Sequence, residues 1–170
     1  MGILSGNPKD EPLHYGEVYG LWSHLATTKA GVDTYQVYIN HTGDEDLRSF
    51  LKQVIETSMK PAIKEVEEVL IHNDIAVPPN PAERPEADLE KIPPGARLQD
   101  VQIAYIVAAE IAAGITGNAA LMAQCIREDI GLMFAGFGAK KAKDGAQLLQ
   151  MMKTKGWLVP PPLHLDTKHQ

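Results

Sequence analysis

The sequence predicts an all-α fold, a four-helix up-down bundle with one long crossover between its second and third helices. Three observations carry this expectation: the placement of proline, the helical spacing of apolar residues between the prolines, and the length of one proline-rich connection. All 12 prolines fall in four places, at 8 and 12, at 61 alone, between 78 and 94, and at 160–162. Proline lacks an amide donor and fixes φ, so the clusters cannot lie inside regular elements. The two proline-poor blocks that remain, roughly 13–74 and 98–159, are each long enough for two helices.

The first helix is predicted over about 12–41, with Val18, Leu21, Leu25, Val32 and Ile39 on one face. The stretch Val32 to Ile39 has strand propensity, but no turn separates it from the helical pattern before it. His41-Thr42-Gly43-Asp44 ends this helix, and Asp44 is the natural N-cap of the next. The second helix, about 44–74, buries Leu47, Leu51, Val54, Ala62, Val66 and Val69. Pro61 is expected to kink it, because residue 61 offers no amide to the carbonyl of Thr57.

Residues 75–97 form the crossover. An extended proline-rich chain advances about 3.1 Å per residue and a helix about 1.5 Å, so the segment can run the length of a helix with slack. Bundles with one such crossover are of the ferritin-like class. The third helix, about 98–124, is rich in alanine and glycine, which predicts close approach to its neighbours. The fourth, about 127–155, directs Ile130, Met133, Phe134, Phe137, Leu148, Leu149 and Met152 inward and stops at Gly156. A proline-rich tail, 159–170, completes a single domain of 170 residues.

With 44% hydrophobic and 22% charged residues, the chain is of ordinary globular composition. Its net charge of −6 opposes nucleic-acid binding, and the one basic cluster, Lys140, Lys141 and Lys143, reads as a solvated face. The single Cys125 excludes an internal disulfide, and with no histidine close in sequence it reads as a small buried hydrophobe. The start of the chain does not read as a signal peptide. The most apolar run, Ile103 to Ile115, carries Glu110 and reads as too short to span a membrane, so a cytoplasmic setting is expected. Glu110 itself reads as a solvated edge, and Trp22 and Trp157 as core or bundle-end anchors.

A bundle of this kind raises the question of iron or another divalent metal. A di-iron site takes a Glu from each of two helices and a Glu-x-x-His pair from each of the others. The sequence reads as holding no such pair anywhere. A degenerate version could be built from His14, Glu17, Glu65, His72 and Glu128, which the predicted helices bring to similar heights. The same residues could equally form a salt-bridged polar layer.

Three short segments resemble a known bacterial family: Leu21-Trp22-Ser23, then Arg127-x-Asp129-Ile130 followed by Phe134, and Lys155-Gly156-Trp157-Leu158 ahead of Pro160 to Pro162. The family, of unknown function, comes from endospore formers and is related to spore coat protein F. The resemblance covers roughly residues 13–162. It implies a ferritin-like fold and association with the spore coat or the sporulating cell, with no established reaction. Many members carry two copies of the unit, so pairing of two single-copy chains is a natural expectation. The sequence is thus read as a non-enzymatic structural or interaction protein that self-associates, as a homodimer or with other coat proteins. A degenerate metalloprotein or oxidase is the alternative, and a carrier of a small ligand in the bundle core is a third reading.

Overall fold

The computed structural model describes residues 6–164, and every regular element among them is helical. They are α1 (Tyr15–His41), α2 (Glu45–Val54), a π turn (Ile55–Met59), α3 (Lys60–His72), α4 (Asp100–Gln124) and α5 (Glu128–Thr154), with single 3-10 turns at Pro8–Asp10, Leu89–Lys91 and Pro94–Ala96. Residues 1–5 and 165–170, including the end of the proline-rich tail and His169, lie outside the described residues. The segment from Val32 to Ile39 is helical, with Tyr35, Tyr38 and Ile39 buried at helical spacing.

Each helix starts and stops for a local reason. His14 caps α1: its Nδ1 accepts from the Gly16 amide (2.9 Å), and its own amide donates to Glu17 Oε2 (3.0 Å). Asp44 Oδ1 accepts from the amides of Asp46 (3.1 Å) and Leu47 (3.0 Å), opening α2. Arg48 Nη1 turns back to the Ile39 carbonyl (2.9 Å), covering an open acceptor at the end of α1.

From Glu45 to His72 the helix is continuous, and a π turn precedes Pro61. The Lys60 amide bonds to the carbonyl of Ile55, one residue beyond the usual partner. The turn just before the proline widens to accommodate the missing donor. Both α3 and α5 close with an amide reaching five residues back, Ile75 to Leu70 and Trp157 to Met152, each at 2.9 Å. The residue preceding each donor, Asp74 (φ 57°) or Gly156 (φ 70°), is left-handed.

The 75–97 segment is pinned along α1. Trp22 Nε1 donates to Ala76 O (3.1 Å), Lys29 Nζ to Pro78 O (2.6 Å) and Asn40 Nδ2 to Pro85 O (3.1 Å). Arg84 pairs with Asp33, and the Leu98 amide donates to His41 Nδ1 (3.1 Å). α4 therefore starts beside the end of α1, where Asp100 Oδ1 accepts from the Gly43 amide (3.0 Å) and the Thr42 hydroxyl. It finishes beside the start of α1, where His14 Nε2 meets Gln124 O (3.1 Å). α5 then runs back the other way, ending where Lys155 Nζ donates to Asp44 and Asp46 (2.7 Å each).

The apolar interior comes in two parts. One holds Tyr35, Leu47, Phe50, Leu51, Val54, Ile103, Val107, Leu148 and Met152 near the α1–α2 corner. The other holds Leu21, Leu25, Val66, Leu70, Ile130, Met133 and Phe134 near the α4–α5 corner. Gly20 leaves room for the Leu121 side chain of α4, which a Cβ there would meet at 2.7 Å.

Several sequence expectations change here. Leu149 is 42% exposed rather than inward, because the core face of α5 is already filled by Leu148 and Met152. Trp22 keeps its indole at the surface to bond the strap. The small residues of α4 divide: α4 lies closer to α5 than any other two helices lie to each other, with Ala104 buried and Ala108 and Gly114 half-buried, whereas Ala109, Ala112, Ala113, Gly117, Ala119 and Ala120 are exposed. One helix is longer and more apolar than the run Ile103 to Ile115 suggests, a weak signal for a membrane span. Counted with its preceding turn, Pro94–Gln124 is long and apolar enough by length and composition alone. Yet α4 buries one face against α5, and the hydroxyl of Tyr38 donates to Glu110 Oε1 (2.8 Å) midway along it.

Candidate functional site

Of the five residues offered as metal ligands, the structure brings two into contact. Glu17 is 2% exposed, yet its carboxylate is fully engaged. Oε2 accepts from the His14 amide (3.0 Å), and Oε1 accepts from the amides of Ile126 (2.8 Å) and Arg127 (2.9 Å). His14 uses both ring nitrogens, one toward Gly16 and one toward Gln124. Glu65, His72 and Glu128 are exposed. Among the described residues no three His, Cys, Asp or Glu side chains are grouped to hold a metal. Donors already spent on backbone amides do not fit a divalent ion.

One Glu-x-x-His spacing does exist ahead of α1, from Glu11 to His14, and the sequence reading missed it. Glu11 is buried, but its Oε1 accepts from the Gly6 amide (3.1 Å) and its carbonyl from Arg127 Nη1 (3.1 Å). Arg127, 3% exposed, also donates to Asp129 Oδ2 (2.6 Å), which holds the Asp129 carboxyl below the usual range. These residues form a corner clamp, joining the start of α1 to the start of α5. Cys125 lies in the same corner with its thiol bonded to Leu121 O (3.2 Å). Burial first, then Glu17 and Asp129, push its pKa up to about 11, the wrong direction for a nucleophile.

A different set of polar residues occupies the level between the two apolar clusters. Asp144, 2% exposed, accepts from Ser58 Oγ of the π turn and from Lys140 Nζ (3.5 Å). Lys29, 4% exposed, pairs with Glu67 Oε1 (2.6 Å). These two are satisfied. Asn118, also 2% exposed, has one close polar side chain to meet, His24, and the two do not reach good hydrogen-bond geometry. Their contact amounts to one poorly aligned hydrogen bond, which favours the charged ring. His24 stacks on Phe137 (centroids 5.2 Å apart), and burial, with Lys141 second, lowers its pKa to about 4.

Lys141 belongs to this level, which corrects its reading as part of a solvated face. It is half-buried, its stem lies where a Cβ on Gly114 would stand (2.6 Å), and burial lowers its pKa. It makes no direct ion pair among the described residues, while Asp144 and Glu110 act on it at longer range. These groups line a cleft of about 570 Å³ between α1 and α4, walled by Tyr35, Met59 and Leu121. A second groove, about 680 Å³, lies under the strap, where Asp33 pairs with Arg84 and Glu56 with Lys60. The sequence signal that could have found the cleft is a polar Asn118 on the core face of an otherwise apolar helix.

The fold and its polar interior define an all-helical, bundle-like protein with no recognisable catalytic constellation among the described residues. The chain belongs to the family described as "Protein of unknown function (DUF3231)", whose model matches residues 1–169. It is 51% identical over 170 residues to the uncharacterized protein YvdQ of Bacillus subtilis (strain 168), covering all of this chain and 99% of that one. Among solved structures it is similar to a "putative spore coat protein" of Bacillus halodurans C-125, with a TM-score of 0.91 and 43% identity. That match covers 94% of this chain and 100% of the other.

Proposed function

We propose that the protein is a non-enzymatic structural component of the spore coat, built as a ferritin-like four-helix bundle that pairs with a second copy of itself. The observation that carries the reading is the exposed face of α4. Only 17% of its most apolar stretch is buried, and Tyr105, Ala109, Ala112, Thr116, Ala119 and Ala123 are exposed at spacings of three and four residues. Uncharged small side chains at that spacing permit close approach of another helix, and an uncovered apolar face favours a protein interface. A twofold pair is the commonest closed assembly. The name of the solved relative supports a place in the coat, and the opposed directions of α1 and α4, with α5 parallel to α1, support the ferritin-like arrangement.

Sedimentation velocity on the full chain tests the pairing. A dimer is expected, with Ala112→Glu plus Ala119→Glu giving a folded monomer. A monomer for the unsubstituted chain at high concentration overturns the reading.

A further inference from the structure

We propose that the cleft between α1 and α4 binds a small organic monocarboxylate, its carboxylate held by Lys141 and Asn118 and its apolar body laid against Tyr35, Met59 and Leu121. This reading is independent of the assembly reading, since the proposed pairing stripe uses a different face of α4.

Three observations converge on a ligand. The first is the largely unmet amide. A side-chain amide carries two N–H donors and an acceptor, and leaving them unpaired in a buried place is destabilising. Asn118 is buried, lines the cleft and meets only His24, in a poorly aligned contact. Even one bond to His24 would leave most of that capacity unused. The second is the cation. Lys141 lines the same cleft, half-buried and without a direct ion pair, so an anion arriving there would recover part of its lost hydration. The nearby Asp144 does not supply that anion directly, being bonded to Ser58 and Lys140.

The third is the wall. The hydroxyls of Ser23, Thr27, Thr28 and Thr34 all donate to backbone carbonyls of α1, which leaves the cleft with an apolar character apart from the groups already named. Glu110 also lines it, and its Oε1 is taken by the Tyr38 hydroxyl. A cleft of about 570 Å³ lies within the ~300–1,000 Å³ range of small-molecule sites, which are mostly apolar with a few convergent polar groups. Together these features match a medium-chain carboxylate: one anionic end and an apolar tail.

Titration calorimetry of the full-length protein with octanoate tests the proposal, with 1-octanol and octylammonium as companions of equal tail. Saturable one-to-one binding of octanoate is expected, with Kd below about 1 mM. Both companions should bind at least tenfold more weakly. Lys141→Met and Asn118→Leu should each weaken octanoate at least tenfold. As a variant that leaves the polar groups in place, Gly117→Leu fills the cleft from its exposed wall, where an added Cβ meets nothing within 4 Å. It should abolish binding with unchanged helical circular dichroism. The absence of saturable octanoate binding overturns the proposal. So does octylammonium binding as tightly as octanoate, or octanoate binding that survives Gly117→Leu.

Discussion

The two ends of the bundle and its middle treat buried polar groups in opposite ways. At one end a carboxylate from α1, Glu17, collects the amides that open α5. At the other a carboxylate from α4, Asp100, collects the Gly43 amide and the Thr42 hydroxyl at the corner between α1 and α2. Each corner is held by an acidic side chain distant in sequence, and each acceptor has a named donor. At the middle level Asn118 and His24 lie between the apolar clusters and meet each other only in a poorly aligned contact. Corners formed by irregular backbone expose donors that must be met, so carboxylates there are structural. A helix interior has no such donors to offer, so a largely unmet amide there needs another explanation.

That contrast can be broken by substitution, and the largest effect is expected at the Glu17 corner. Glu17→Ala should lower unfolding stability by about 3–5 kcal/mol, because it strands buried amides beside the guanidinium of Arg127. Chemical denaturation of the variant checks this, and a loss below about 1 kcal/mol would mean the corner is not held by that carboxylate. Asp100→Ala removes a half-exposed acceptor and should cost about 1–2 kcal/mol by the same measurement.

The middle level should respond to pH. Because the folded protein holds the His24 pKa near 4 against an ordinary value of 6.5, it disfavours the charged ring. Stability from this group is full above about pH 6.5 and is lost as pH falls toward 4, by roughly 2–3 kcal/mol. Denaturant melts between pH 7 and 4 on the parent and on His24→Phe should show a shallower loss in the variant. Smallest of all is Asn118→Leu, expected to leave stability unchanged within about 1 kcal/mol or to raise it, since only the poorly aligned contact with His24 is lost and a largely unmet amide is removed. A loss above about 2 kcal/mol would show that the amide has a well-made internal bond.

The all-helical class was legible in the sequence because proline and glycine bracket long runs at helical spacing. Asp44 and Gly156 marked their helix ends through side-chain and backbone chemistry that depends on few neighbours. What stayed hidden depends on which helix faces which. Nothing local to Glu17 says that its partners are the amides of residues 126 and 127, more than a hundred positions away. Grouping it with Glu65 and His72 followed from height and from a regular-helix projection that put both on the apolar face, yet both are exposed on α3, which follows a π turn that shifts the register. Lys141 misled for the opposite reason. Its neighbours Lys140 and Lys143 suggest a solvated run, but a gap opposite Gly114 admits its long stem.

The strap along α1 is exposed over 79–88 and joins the first half of the chain to the second. Those halves are also fastened by Glu17 across to α5, by Asp100 back to Gly43, and by Lys155 to Asp44 and Asp46. Severing the backbone there, as a protease would, leaves two fragments that still embrace each other. Connectivity between the halves is therefore needed mainly to bring them together once, and a nicked molecule would keep its shape.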